Sequence, residues 1–206
     1  MIVPDTEETR DHAAKIVRNG GVIAFRTDTF YGLGADPLNA DAVARIKALK
    51  KRDEGKPILL LIADAEDLDR FIVDKSEDFE VVTRSFWPGP LTVIGRAAKA
   101  LPEALTAGTG TVGVRLPNQD NVRALVRLCG GALTATSANL SGSPSASVAQ
   151  EVVDYFPTGI DLIVDGGEVA DAQPSTVLDL SGSDPRVIRD GAVSRKTLEG
   201  VLGLAL

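Results

Sequence analysis

Apolar residues recur along this chain at two spacings, and the alternation between the two predicts its elements. Ala13, Ile16 and Val17 share one helical face behind Asp5-Thr6-Glu7-Glu8, where Glu8 falls three residues after Asp5 as in a capping start. Gly20-Gly21 stops that helix near Asn19. Residues 22–25 form a short β-prone run, and Ala42, Val43, Ile46 and Leu49 repeat at helical spacing over 40–50. A buried strand over 58–62, short helices over 65–71 and 76–86, and a strand over 91–94 follow the same logic. Trp87-Pro88-Gly89-Pro90 breaks the chain before that last strand. Beyond it the pattern gives strands over 111–116 and 132–136 with a helix over 118–128 between them. A helix over 148–155, strands over 162–164, 176–180 and 187–189, and a closing helix over 194–202 complete the chain. Strands and helices interleave throughout with no internal repeat. The expectation is a single α/β domain, residues 1–206, with three layers and a mixed, strongly twisted sheet flanked by helices.

Composition narrows the function. The chain has 206 residues, 44% of them hydrophobic and 25% charged, which is ordinary for a folded globular protein. A formal net charge of −7 argues against a dedicated nucleic-acid binder. No apolar run is long enough to span a bilayer, and Met1-Ile2-Val3-Pro4-Asp5 does not begin like an export signal, so no membrane partner and a cytoplasmic location are expected. One cysteine, Cys129, excludes an internal disulfide and reads as a buried helix position. His12, the one histidine, reads as a surface residue, and no protein-held metal site is expected.

The candidate chemistry clusters after strands. Arg26 to Asp36 turns abruptly from apolar to Thr, Asp, Tyr and two glycines, and a polar loop at a strand end is where α/β proteins place ligands. Gly32 and Gly34 are read there as permitting positive φ and close approach to a bound group. Lys50, Lys51, Arg52 and Lys56 end a helix before a buried strand, and Arg115 and Arg189 end otherwise apolar strands. An arginine so placed meets a carboxylate of the protein or of a ligand. Hydroxyl and amide side chains gather at Thr134, Thr136, Ser137, Asn139, Ser141, Ser143, Ser145 and Ser175-Thr176. The same residue types also serve as helix caps and solvated cations, and spacing alone leaves both readings open. The tract 140–147, rich in Ser, Pro and Gly, is read as a loop beside the substrate. Gly108-Thr109-Gly110-Thr111-Val112-Gly113 precedes a strand and is assigned to a turn, not to a dinucleotide loop. No Walker loop and no nucleophile elbow is present.

The order of these segments resembles the YrdC-type threonylcarbamoyl-AMP synthases. The carriers are Thr27-Asp28-Thr29-Phe30-Tyr31-Gly32-Leu33-Gly34, Lys50-Lys51-Arg52, Trp87-Pro88-Gly89-Pro90-Leu91-Thr92, Gly113-Val114-Arg115-Leu116-Pro117, Thr136-Ser137-Ala138-Asn139-Leu140-Ser141-Gly142, Ser175-Thr176-Val177-Leu178-Asp179 and Ile188-Arg189-Asp190-Gly191. The resemblance covers residues 13–194. It implies that L-threonine, bicarbonate and ATP yield threonylcarbamoyl-AMP and pyrophosphate, for the threonylcarbamoyladenosine modification of tRNA by a separate tRNA threonylcarbamoyltransferase complex. It implies Mg²⁺ bound through the ATP phosphates, a weak contact with tRNA at most, and Lys50 and Arg52 as catalytic residues. Thr29, Arg115, Ala135 and Ser175 are implied for threonine, and Arg52, Lys56, Thr111, Ser137, Asn139, Ser145 and Arg189 for ATP. The chain departs from the family at Arg26, Asp53 and Asp190, where relatives usually carry Pro, which puts an extra cation and two anions near the implied site. It also stops short of the additional C-terminal domain that some relatives carry. Two other classes compete: a paralogue of the same fold with another substrate, and an RNA-binding protein without catalysis. A carbamoyl-transfer module of the hydrogenase-maturation kind would sit in a far longer chain with zinc-finger-like segments.

Overall fold

The computed structural model describes residues 1–51, 55–170 and 173–206. In chain order the elements are β1 Ile2–Pro4, α1 Glu7–Arg18, β2 Ile23–Arg26, β3 Tyr31–Gly34, α2 Ala40–Lys50, β4 Leu59–Ile62, a 3-10 helix Ala65–Arg70, β5 Ile72–Val73, α3 Glu77–Phe86 and β6 Leu91–Ala97. Then come α4 Glu103–Thr106, β7 Thr111–Arg115, α5 Asp120–Leu128, β8 Ala132–Ser137, α6 Ala149–Tyr155, β9 Leu162–Asp165, β10 Thr176–Asp179, β11 Arg186–Arg189 and α7 Arg195–Leu202. Among the described residues the strands join in the order β1-β9-β2-β3-β8-β4-β7-β6-β10-β11, with β5 paired to β6. The sheet is mixed: β1/β9, β2/β9, β4/β7 and β6/β10 pair in parallel, while β2/β3, β3/β8, β4/β8, β6/β7 and β10/β11 are antiparallel.

Period-two alternation sorts side chains onto two faces. Val22, Ala24, Leu60, Ile62, Val93, Val112, Val114 and Leu178 point into the larger core cluster. From that side α3 packs on β6, α4 on β7, and α6 on β9 and β2, with α2 against α4 and α7 against α3. Ile23, Phe25, Leu61, Leu133, Leu162 and Val164 point the other way, into a second cluster shared with Ala13, Val17, Val122, Leu125 and Val126. On that side α1 covers β9 and β2, and α5 covers β4 and β8. No described helix covers β6, β7 and β10 from this side, and the stretch of sheet left bare becomes the site.

Several local expectations change. The polar stretch after residue 25 contains a strand: β3 forms a hairpin with β2, pairing Arg26 with Tyr31 and Ile23 with Gly34. Neither Gly32 nor Gly34 takes a positive φ. Gly34 instead answers to packing, since a Cβ there would lie 2.7 Å from both Leu133 Cδ2 and Phe25 Cε1. Thr6, not Asp5, caps α1 by accepting from Thr9 N, while Asp5 Oδ1 accepts a hydrogen bond from Arg10 Nε at 2.6 Å. β1, β5 and α4 are short elements that carry no period of their own, and β1 exists through its pairing with β9. As expected, Gly108 and Gly110 take positive φ in the turn before β7, and His12 is exposed. Cys129 is buried, and burial pushes its thiol up to about 12. No helix among the described residues is long and apolar enough to cross a membrane.

Candidate active site

The bare part of the sheet face is the floor of a cleft of about 520 Å³. Thr92 and Ile94 of β6, Gly113 and Arg115 of β7, and Ser175 and Val177 at β10 alternate along it with residues of the larger core. Thr27, Thr29 and Phe30 form one wall, Ser137 and Ser145 another, and Ile188 and Arg189 close the far side. Gly113 keeps the floor flat, because a Cβ there would meet Thr92 Cγ2 at 3.1 Å.

The first wall is built by one hydroxyl. Thr27 Oγ1 accepts from Thr29 N at 3.1 Å and Phe30 N at 3.2 Å, and donates to Phe30 O at 2.6 Å. These bonds hold residues 27–30 in a tight turn between β2 and β3. Behind it the Tyr31 hydroxyl donates to Asp165 Oδ1 at 2.8 Å and lies 2.9 Å from the Gly167 carbonyl oxygen. Burial first, then the Asp165 carboxylate, hold that phenol protonated well above its ordinary range.

Arg115 is the pivot. Its Nη2 donates to Asp28 Oδ1 at 2.7 Å, with the two side chains 4% and 14% exposed. Its Nε and Nη1 are buried and meet no partner. Burial lowers the guanidinium pKa, Asp28 opposes that, and nearby Arg189 adds to it. The group stays cationic all the same, so the site holds a buried charge with two unmet donors. Arg189 donates Nε and Nη2 to Ser175 O at 3.0 and 2.7 Å, and Nη2 to Ser175 Oγ at 2.9 Å. Ser175 Oγ in turn lies 2.9 Å from Thr92 Oγ1. This cluster is backed by Gly191, where a Cβ would fall 2.3 Å from Pro174 O and 2.6 Å from Ser175 C.

The cleft thus brings together Thr29, Arg115, Ala135, Ser137, Ser145, Ser175 and Arg189 of the residues singled out in the sequence. Others stand behind it. Lys50 is only 2% exposed, and its ammonium donates to Ser137 O, to Asn139 O at 2.7 Å and to Asn139 Oδ1 at 3.2 Å. Asn139 Nδ2 carries the brace onward to Leu140 O and Ser143 O, so the 137–143 segment is fixed from within. Thr111 lies two residues along the strand from Gly113, its hydroxyl 2.9 Å from Thr109 Oγ1. Lys56 is exposed, next to the lining residue Pro57. Arg52 and Asp53 lie outside the described residues. Arg26 does not line the cleft; it pairs across the hairpin with Tyr31, and its stem lies against Gly166. Asp190 is exposed and lies 3.8 Å from Arg195 instead of crowding Arg189. Sequence reasoning did not single out Thr27, Thr92 or Asp28 as site residues. The need of a buried arginine for a carboxylate was the signal that could have found Asp28, while Thr92 comes beside Arg115 and Ser175 only through strand pairing.

Residues 15–191 match the family model of the Sua5, YciO and YrdC proteins, described as "Telomere recombination". The threonylcarbamoyl-AMP synthase of Pyrococcus abyssi is 38% identical over 191 residues, which are 93% of this chain and 56% of that protein. The Bacillus subtilis protein of the same name is 37% identical over 206 residues, 98% of this chain and 60% of that protein. A crystal structure of P. abyssi Sua5 complexed with L-threonine aligns at a TM-score of 0.95 and 35% identity, over 100% of this chain and 62% of the other. The chain therefore spans less than two thirds of the length of these relatives.

Proposed function

The chain belongs to the Sua5/YciO/YrdC family, and we propose that residues 1–206 act as one domain that joins L-threonine, bicarbonate and ATP into threonylcarbamoyl-AMP, releasing pyrophosphate. The observation that carries this reading is Arg115: a buried cation with two unmet donors, facing a cleft of neutral hydroxyls beside a second arginine. An amino-acid carboxylate satisfies such donors, with Thr29, Ser175 and the backbone at Ala135 around it. Arg189, Ser137, Ser145, Thr111 and Lys56 receive the nucleotide, and Arg52 stands assigned to its phosphates by resemblance. Asn139 and Lys50 contribute from behind, holding Ser137 in place, so Lys50 is a positioning residue in this reading. Among the described residues the lining includes no carboxylate, a donor set suited to Mg²⁺ carried on the ATP phosphates and unsuited to a metal held by the protein.

The threonine amine adds to carbon dioxide or activated bicarbonate, and an oxygen of the resulting carbamate attacks the α-phosphorus as pyrophosphate leaves. Both steps gather negative charge, so orientation and fixed cations supply the catalysis without a protein nucleophile. The product passes to a separate tRNA threonylcarbamoyltransferase complex in the cytoplasm for the threonylcarbamoyladenosine modification of tRNA. The test is pyrophosphate release from ATP with Mg²⁺ and bicarbonate, with L-threonine, with L-serine and with neither. Release that depends on L-threonine is the expected result. A folded protein without that dependence would overturn the assignment in favour of a paralogue with another substrate.

A further inference from the structure

Ser175 and Arg189 serve different substrates in the reading above, the first threonine and the second the nucleotide, yet the fold joins them on the cleft wall. Arg189 gives three hydrogen bonds to this one residue: Nε and Nη2 to its carbonyl oxygen at 3.0 and 2.7 Å, and Nη2 to its hydroxyl at 2.9 Å. A planar guanidinium held through two of its nitrogens has a fixed orientation. Behind the pair the two segments are locked together. Ala192 N donates to Pro174 O at 3.0 Å, and the Thr176 hydroxyl donates to Val193 O at 2.6 Å and accepts from Val193 N at 3.0 Å. Between β10 and β11 the register steps from Val177/Arg189 to Leu178/Val187, which leaves Ile188 as an extra residue. That bulge lets Ile188 and Arg189, neighbours in the chain, both line the cleft.

We infer that this junction couples the two substrates: threonine seated at Ser175 tightens the nucleotide at Arg189, and the nucleotide tightens threonine by the same factor. The inference rests on the assignment of these two residues under the proposed function. Its physical basis is ordering. A ligand that fixes residue 175 also fixes the carbonyl and hydroxyl on which the guanidinium rests. The second ligand then meets a cation already oriented and loses less freedom on binding. Linkage makes the effect reciprocal. A synthesis that needs both substrates in one cleft gains from it, because either substrate alone is held less firmly.

The test is calorimetric titration of the full chain with L-threonine and with α,β-methylene-ATP and Mg²⁺, an analogue that cannot release pyrophosphate. Each ligand is titrated alone and in the presence of the other. In the wild type each is expected to tighten the other by about fivefold or more, with the same factor in both directions. Arg189→Lys keeps the charge but not the fork, so both ligands should still bind while the mutual factor falls towards one. Retained threonine binding also shows that this variant is folded. Ser175→Ala removes one of the three bonds and should give a factor between those two. A general structural defect would weaken the separate affinities without moving their mutual factor. Independent binding in the wild type would overturn the inference, as would an undiminished factor in Arg189→Lys. Wild-type protein that fails to bind threonine or the analogue at all would instead remove the assignment of the two sites, and the inference with it.

Discussion

One face of the sheet is built in two halves that obey different rules. Over β9, β2, β8 and β4, helices α1 and α5 seal Ile23, Phe25, Leu61, Leu133, Leu162 and Val164 into a dry layer. Over β6, β7 and β10 the equivalent positions carry Thr92, Gly113, Arg115 and Ser175, and no described helix lies on them. The strands themselves run on without a break, and β4 and β8 contribute to both halves, through Leu61 and Leu133 on one side and Leu59 and Ala135 on the other. Stability and function are thus separated across a few residues of the same strand. Where apolar side chains face a helix, burial supplies free energy. Where they give way to hydroxyls and a buried arginine, the fold tolerates unmet polar groups that a ligand can satisfy.

The sharpest way to break this division is Arg115→Met. It removes the pivot of the bare half, and threonine-dependent pyrophosphate release is expected to fall roughly 100- to 1,000-fold in steady-state assays. A fall of less than about tenfold would mean that the cleft chemistry does not centre on this side chain. In the covered half, Leu133→Ala should cost about 3 kcal/mol in denaturant unfolding, because a fully buried leucine leaves a cavity under α5. The KM for threonine of the folded fraction should stay the same, and a raised KM would show that the halves are coupled. Gly191→Ala tests the seam behind Ser175, where overpacking of about 1–3 kcal/mol is expected together with a several-fold loss of activity. Loss of stability without loss of activity there would show that Ser175 is free to shift.

The smallest effect belongs to the rim of the covered half, where α5 is tied to the 3-10 helix through Asp64. Arg127 Nη2 and Arg123 Nη2 reach Asp64 Oδ1 at 2.7 and 2.9 Å. The Arg127 hydrogen bond holds the Asp64 carboxyl below its ordinary value; burial opposes this, and Arg123 assists it. A depressed folded-state pKa stabilises the protein above the unfolded aspartate pKa, and that stabilisation is lost as pH falls towards the folded value. The pair is partly exposed, so less than about 1 kcal/mol is at stake. Asp64→Asn should therefore flatten the loss of unfolding free energy below about pH 4, with little change near neutrality. An unchanged acid slope would mean that solvent screens the pair entirely.

Most of the helices and strands were legible because their residues carry a period. Ala42, Val43 and Ile46 repeat as a helix does, and α2 spans the residues that this pattern predicts. Part of the 26–36 stretch lines the cleft, but its shape differs from the expected one. Its glycines suggested positive φ, whereas Gly34 is required because Phe25 and Leu133 approach across the sheet. The Lys50 ammonium donates to carbonyl oxygens of the 137–139 segment, a placement that no local pattern announced. Neither feature has a local cause, since each depends on a segment far away in the chain.

By itself the sequence determined most of the strands and helices, and which residue types stand at the strand ends. Periodicity and turn chemistry act over a few residues, and the chain carries them wherever it goes. Only the tertiary structure decided that Asp28 meets Arg115, 87 residues further on, that Lys50 turns inward, and that half of one sheet face is left uncovered. Those outcomes follow from the order of the strands, which brings β3 beside β8 and β7 between β4 and β6. Such an order is chosen by burying the whole apolar surface at once, a sum over the entire chain that no local stretch contains.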